Sequence, residues 1–272
     1  MGKKHGIILT KILTVVTFLG MVAVNALANI LPINGVNTGQ VSDSFKNLFA
    51  PAGLTFAIWG LIYFLLAMYT LFQLRIFRDK QKTFTDEVLA KVGLVFSISS
   101  LANIVWILTW HYNQIPITMV LMIVILVCLI YIVNTLKKEN LSKKAKIFVM
   151  LPFSVYFGWI TVAAIANATT LLVYLGWDGF GMPQELWTIL VLIVGLLIAV
   201  ATILKNHDAA YGLVIVWAFA GILVKHFSAD GFAGLYPEIY AVVIICIVLL
   251  LIAIVNVLLH MKKEHMIPTE HK

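Results

Sequence analysis

The sequence predicts an all-α polytopic membrane protein with about eight transmembrane helices. Of its 272 residues, 62% are hydrophobic and only 11% are charged, and the mean hydropathy is +1.01. A soluble chain of this length would lack the polar residues that cover a water-exposed surface. The apolar residues also fall into runs of about 20 or more, the length of a helix that crosses a bilayer.

Mostly short connections separate the predicted spans, so consecutive helices are expected to be antiparallel neighbours. The eight spans cover about residues 7–31, 53–74, 88–110, 116–136, 147–173, 186–204, 210–227 and 238–260. The first also resembles a secretory signal, because lysines precede an apolar run that ends in Ala-Leu-Ala at 26–28. The run is longer than a typical signal core and continues through Asn25 and Asn29, so we expect this helix to be retained.

The distribution of basic residues predicts the orientation. With an even number of spans, all the lysines and arginines except Lys46 and Lys225 lie on the side that holds both termini. Cytoplasmic connections carry the excess of positive charge in membrane proteins. We therefore expect an integral protein of a bacterial plasma membrane with both termini in the cytoplasm.

Several classes of function are disfavoured. The basic residues lie in short connections rather than in one patch, so no nucleic-acid partner is expected. Cys128 and Cys246 lie inside apolar spans, which supports neither a disulfide nor a metal site. No Asp, Glu, Lys, Arg or His lies near the centre of a span, whereas ion-coupled transporters usually carry such groups. The sequence shows no phosphate-binding loop and no pairing of nucleophile and base, and no catalytic residue is predicted.

Three spans carry aromatic and amide residues at helical spacing, so each set forms one stripe on its helix. The candidate ligand-binding residues are Phe56, Trp59 and Tyr63 in the second span, Asn103, Trp106 and Trp110 in the third, and Tyr156, Trp159, Ala163 and Asn167 in the fifth. Aromatic walls with a few amides suit a large planar ligand. Helix packing, with Asn103 and Asn167 bonding between helices, would explain the same stripes without a ligand.

These stripes resemble the motifs of the TspO/MBR family, the translocator protein or peripheral benzodiazepine receptor group, whose bacterial members are called tryptophan-rich sensory proteins. The family pattern Leu-Asn-x-x-Trp of the third helix appears as residues 102–106, with Ala102 in place of leucine. The pattern of the fifth helix is matched by Trp159, Ala163 and Asn167, and that of the second by Pro51, Phe56, Trp59 and Tyr63.

The resemblance covers about residues 1–173 and is incomplete. The Trp-Tyr and Lys-Pro elements of the family's first loop are missing, and Pro152 stands seven residues before Trp159 rather than four. Three further spans follow. The resemblance implies a five-helix core over residues 1–173, to which residues 174–272 add a three-helix membrane extension.

The resemblance also implies a function. The family binds porphyrins and other tetrapyrroles and often forms dimers, so the expectation is a membrane ligand-binding or sensory protein for a planar hydrophobic small molecule, with porphyrin or haem as the ligand. A homodimer in the lipid bilayer is expected on the same ground. A permease-like transport component for a small apolar substrate is the alternative. Porphyrin degradation by an enzyme is implied by the family alone.

Three further expectations concern the connections and the ends of the spans. The first outer loop, residues 32–52, is the longest connection and acts either as a lid over a cavity or as a plain connector. His111, His207, His226 and His260 lie near span ends and are expected to be solvated. Trp110, Trp177 and Trp187 are expected to anchor helix ends at the membrane interface.

Overall fold

The computed structural model describes residues 2–76 and 85–266, and these residues form helices and connections without any strand. The α-helices are α1 (Gly2–Ile30), α2 (Thr38–Ser44), α3 (Ile58–Gln73), α4 (Asp86–His111), α5 (Ile115–Leu136), α6 (Lys143–Ala145), α7 (Leu151–Tyr174), α8 (Gln184–Asn206), α9 (Ala209–Phe227) and α10 (Pro237–Met266). Within the part of the chain that the structure describes, eight helical segments are long and apolar enough to cross a membrane. The predicted all-α fold with eight spans is therefore confirmed. Four of the basic residues on which the predicted orientation rests lie outside the described residues, namely Arg78, Lys80, Lys82 and Lys272.

The chain divides into two compact units. One comprises Met1–Lys46 and Phe56–Leu175, and the other comprises Asn47–Thr55 and Gly176–Lys272. The segment 47–55, which the sequence analysis divides between the end of the first loop and the start of the second span, thus belongs to the unit that contains α8, α9 and α10.

The five spans of the first unit form a closed ring of helices. Going around it, α1 packs against α4, α4 against α5, α5 against α7, α7 against α3, and α3 against α1. The core near one end contains Tyr69, Phe96 and Phe153, whose rings meet edge to face with centroids 4.7–5.6 Å apart. This ring places the stripes of α3, α4 and α7 inside one bundle.

Local sequence explains how the helices that carry the stripes begin. Thr85 caps α4 by accepting a hydrogen bond from the backbone of Val88. A π-helical turn at Lys146–Met150 precedes Pro152 in the first turn of α7. Proline lacks an N–H and crowds the carbonyl four residues earlier, and a local π-helical turn is one of the adjustments by which membrane helices accommodate it.

The second unit packs α10 against both α8 and α9. Gly212 on α9 allows close contact, because a Cβ there would lie 2.7 Å from Ile254 and 2.9 Å from Ile203. At the other end of this unit, α9 binds the segment 47–55. The backbone N–H of Ala52 donates to the carbonyl of Gly221 at 3.0 Å.

Two side chains of α9 also hold the segment 47–55. Nε2 of His226 donates to the carbonyl of Leu48 at 2.9 Å, and Nε1 of Trp217 donates to the carbonyl of Thr55 at 3.0 Å. The expectation that His226 is solvated is wrong, since its side chain is completely buried. His226 is buried because the segment 47–55 folds along α9. His207 and His260 are exposed, as expected.

Candidate functional site

The stripe of α3 lies at the centre of an aromatic cluster in the first unit. The Trp59 ring stacks on Tyr63, with centroids 5.5 Å apart. It also meets Trp106 on α4 at 6.4 Å and Tyr156 and Trp159 on α7 at 5.9 and 6.2 Å. One indole from α3 therefore touches aromatic residues of both other predicted stripes.

Two more contacts extend the cluster at its edges. The rings of Phe56 and Trp159 are nearly perpendicular with centroids 5.8 Å apart, and Trp110 stacks on Trp106 at 5.7 Å. We use the name aromatic cluster for these seven residues: Phe56, Trp59, Tyr63, Trp106, Trp110, Tyr156 and Trp159. All of them were predicted from helical spacing, and the fold brings all of them together.

Asn103 lies beside the aromatic cluster and is bonded between helices. Its Oδ1 accepts a hydrogen bond of 2.8 Å from Nδ2 of Asn25 on α1, and its Nδ2 donates to the hydroxyl of Tyr156 at 3.4 Å. The side chain is completely buried. The amide of Asn103 thus joins α1, α4 and α7 and orients one ring of the cluster.

Ala163 and Asn167 continue the stripe of α7 beyond the cluster. Oδ1 of Asn167 accepts a hydrogen bond of 3.2 Å from the hydroxyl of Thr118 on α5. Ala163 is half-buried one turn after Trp159. The hydrogen bond between Thr118 and Asn167 therefore joins α5 to α7, whereas the aromatic contacts of the cluster join α7 to α3.

Three polar atoms of the aromatic cluster have no hydrogen-bond partner among the described residues. They are the hydroxyl of Tyr63 and the indole N–H groups of Trp106 and Trp159, and all three atoms are buried. Trp106 and Trp159 are only 4% and 2% exposed. Buried donors are usually satisfied, since an unpaired one costs about 1–3 kcal/mol. A ligand with acceptor atoms could satisfy them.

Residues 33–38, in the loop between α1 and α3, bind the end of α4 next to the aromatic cluster. Nε1 of Trp110 donates to the carbonyl of Thr38 at 3.2 Å. Nδ1 of His111 donates to the carbonyl of Ile33 at 3.1 Å, and its Nε2, 3.2 Å from the Thr38 hydroxyl, accepts from it. Asn34 completes the contact by donating from Nδ2 to the carbonyl of His111 at 3.0 Å.

This loop contact corrects two expectations about the end of α4. His111 is completely buried rather than solvated, and Trp110 is 4% exposed and packed under the loop rather than at a membrane surface. The loop itself is ordered by local sequence, since Asn37 and Gln40 form a reciprocal capping box at the start of α2. The burial of His111 could not be predicted from the sequence. Its position near the end of a span does not reveal that a loop folds back over it.

The described residues contain no group of three or more His, Cys, Asp and Glu side chains that could hold a metal ion. The arrangement is instead an aromatic surface with three unpaired donors and an ordered loop beside it. Such a surface can bind a flat ligand through its faces and orient it through the donors.

Comparisons with known proteins bear on the family. A family model described as TSPO-like protein matches residues 11–256. Comparison with curated proteins and with solved structures gives no match. The family match extends well past Asn167, where the recognised motifs end, and includes most of α8, α9 and α10. The chain therefore belongs to the TSPO-like family.

Proposed function

We propose that this protein binds a planar apolar ligand of the tetrapyrrole class, porphyrin or haem, at the aromatic cluster. Membership of the TSPO-like family indicates a membrane ligand-binding or sensory protein. The proposal adds the class of ligand and the place where it binds. Besides the aromatic cluster, the proposed site includes Asn103, Ala163 and Asn167.

The observation that carries the proposal is the set of three unpaired donors in one cluster. The hydroxyl of Tyr63 and the indole nitrogens of Trp106 and Trp159 come from three different helices. All three groups belong to side chains in contact with Trp59. Packing alone would account for the rings but leaves these donors unsatisfied. A ligand with carboxylate or carbonyl oxygens would supply the acceptors.

The same residues suggest how a flat ligand is held. Trp59 and Phe56 are only half-buried, so part of each ring is open to contact. Offset and edge-to-face contacts with aromatic rings favour a planar conjugated molecule. Asn103 holds Tyr156 in place through its hydrogen bond. Because the rings already touch one another, binding requires some of them to change rotamer and separate.

The test is a titration of the detergent-solubilised protein with protoporphyrin IX, followed by the absorbance of the porphyrin. Tyr63→Phe, Trp106→Phe and Trp159→Phe each keep an aromatic ring and remove one donor. Loss of a hydrogen bond to a charged acceptor costs about 1.5–3 kcal/mol, so we expect affinity to fall about tenfold or more in the variant whose donor meets a carboxylate.

Trp187→Phe is the matched control, because Trp187 packs against Trp177 in the second unit. Saturable binding that weakens in the cluster variants and not in this control supports the proposal. Absorbance changes that rise linearly without saturation, or equal affinity in all four variants and the unmodified protein, would overturn it.

A further inference from the structure

The segment 47–55 is fixed to α9 along its whole length. Three hydrogen bonds of 2.9–3.0 Å join the two, and they pair Leu48 with His226, Ala52 with Gly221, and Thr55 with Trp217. Residue numbers fall along the segment as they rise along α9, so the segment runs antiparallel to the helix. The last of the three bonds holds the final residue of the segment.

Local contacts make this segment rigid in itself. Oδ1 of Asn47 accepts hydrogen bonds from the backbone N–H groups of Phe49 and Ala50 at 3.2 and 2.9 Å. Thr55 is buried and fits against Gly221, where a Cβ would lie 2.1 Å from the Thr55 hydroxyl oxygen. Thr55 therefore cannot shift along α9 without losing contacts in its side chain as well as in its backbone.

The residue that follows the segment is Phe56, the first member of the aromatic cluster. The carbonyl of Thr55 and the N–H of Phe56 belong to one peptide group, whose atoms lie in a plane from one Cα to the next. Nε1 of Trp217 donates to this carbonyl. Trp217 therefore bonds to the same rigid group that carries the Cα of Phe56.

A continuous helical span carries this constraint on to Trp59. A 3₁₀ turn at Gly53–Ala57 leads directly into α3, and the span runs without a break from Gly53 to Gln73. Trp59 stands four residues after Thr55, about one helical turn. The position of Thr55 thus sets the start of the helix that carries both the Phe56 and the Trp59 rings.

We propose that Trp217 is a positioning residue for the aromatic cluster and that α9 in this way sets the affinity of the tetrapyrrole site. The consequence for affinity rests on the proposed function. Trp217 acts through the peptide group of Thr55 and Phe56, not by touching the ligand. The proposal gives α9 a part in a site whose rings come from α3, α4 and α7.

The physical basis is preorganisation. Rings of the cluster change rotamer to admit a ligand, and a fixed backbone lets them do so around constant Cα positions. Without the bond from Trp217, the start of α3 can take other positions. Binding must then restore one of them, which lowers the apparent affinity by the fraction of molecules that are not competent to bind.

The first test needs no ligand. Trifluoromethylphenylalanine in place of Phe56 reports the surroundings of this ring through its ¹⁹F resonance in the detergent-solubilised full-length protein. Trp217→Phe removes the donor and should shift or broaden the resonance. Because Trp217 is 41% exposed, phenylalanine can replace it without opening a cavity in a core. Trp187→Phe is the matched control, since it also removes an indole N–H from the second unit but at a ring that packs on Trp177.

The second test is the affinity for protoporphyrin IX, measured by absorbance. Trp217→Phe should weaken binding by about two- to tenfold, the range that the loss of one neutral hydrogen bond allows. Gly212→Ala is the control for a merely structural effect, because its Cβ would clash with Ile254 and Ile203. It should lower the unfolding temperature and leave both the affinity and the ¹⁹F resonance unchanged.

The outcomes separate this inference from the proposed function. An unchanged ¹⁹F resonance in Trp217→Phe overturns the inference, and so does equal porphyrin affinity of Trp217→Phe and the unmodified protein. Changes of the same size in Gly212→Ala overturn it as well. Absence of saturable porphyrin binding by the unmodified protein counts against the proposed function instead, and the ¹⁹F resonance then decides whether Trp217 positions Phe56.

Discussion

Asn25 on α1 donates a 2.8 Å hydrogen bond from its Nδ2 to Oδ1 of Asn103 on α4. Both side chains are buried, and the same Nδ2 also donates to the carbonyl of Met21 at 2.9 Å. Asn103 in turn donates a hydrogen bond to the hydroxyl of Tyr156. The pair thus fixes α1 against α4 at the level of the aromatic cluster and holds one ring of that cluster in place.

Replacement of Asn25 by alanine should destabilise the first unit. It leaves Oδ1 of Asn103 buried without this donor, and the loss of an interhelical hydrogen bond in a membrane protein costs about 0.6–2 kcal/mol. Asn29→Ala is the control, because Asn29 is exposed and its amide donates to the backbone carbonyl of Asn25 in the same helix. Unfolding in increasing denaturant measures both variants, and equal midpoints would contradict the role of the pair.

The segment 33–44, which includes α2, should be held less tightly against α4 in Thr38→Val. This change removes the hydroxyl that bonds to His111 but keeps the carbonyl that accepts from Trp110. We expect faster hydrogen exchange in residues 33–44, because one of the contacts that hold the loop is lost. Thr109→Val is the control, since the Thr109 hydroxyl bonds to the backbone of its own helix. Equal exchange in this loop in both variants would contradict the prediction.

Gly221→Ala should disrupt the second unit. A Cβ there would lie 2.1 Å from the Thr55 hydroxyl oxygen and 2.7 Å from its methyl group. Overpacking of this kind costs about 1–3 kcal/mol. Thr55→Ala in the same chain removes both of these atoms and should recover part of the loss.

Gly60→Ala is the control for this pair of changes, because nothing lies within 4 Å of a Cβ at Gly60. A helical glycine replaced by alanine without a clash gains about 0.5–1 kcal/mol. Thermal unfolding should therefore place Gly221→Ala below the unmodified protein and Gly60→Ala at or above it. The reverse order would rule out close packing of α9 on Thr55.

The orientation of the chain is tested with single cysteines and a membrane-impermeant thiol reagent in intact cells. Cys128 and Cys246 are buried within spans and should react poorly. We expect Asp230→Cys to react from outside and Glu139→Cys to react only after the cells are permeabilised, because the basic connections are predicted to lie inside. The opposite pattern would reverse the predicted topology.

The sequence predicted the spans and the aromatic cluster well because both depend on local regularities. Apolar runs of bilayer length identify helices without any knowledge of their neighbours. Helical spacing places Trp59 and Tyr63 on one face, and a bundle must bring such faces together. The grouping of the seven aromatic rings can therefore be predicted from the pattern of residues along the sequence.

Contacts made by irregular segments could not be predicted in this way. The burial of His111 and His226 depends on loop segments that fold back onto α4 and α9. A buried hydrogen-bonded group formed by Thr14 on α1, Gln73 on α3, and Gly93 and Ser97 on α4 was missed for a different reason. Its members are spread over three helices as single threonine, glutamine, glycine and serine residues, none of which stands out in its own span.

The bond between Leu48 and His226 joins residues that are 178 positions apart. A ribosome adds roughly 5–20 residues per second, so about 9–36 s separate the synthesis of the two partners. During that interval the backbone groups of Leu48 and Ala52 that α9 later binds must be satisfied by water, lipid headgroups or the insertion machinery. Placement of the segment 47–55 is therefore a late event in biogenesis, and a nascent chain that stops before α9 leaves it unfinished.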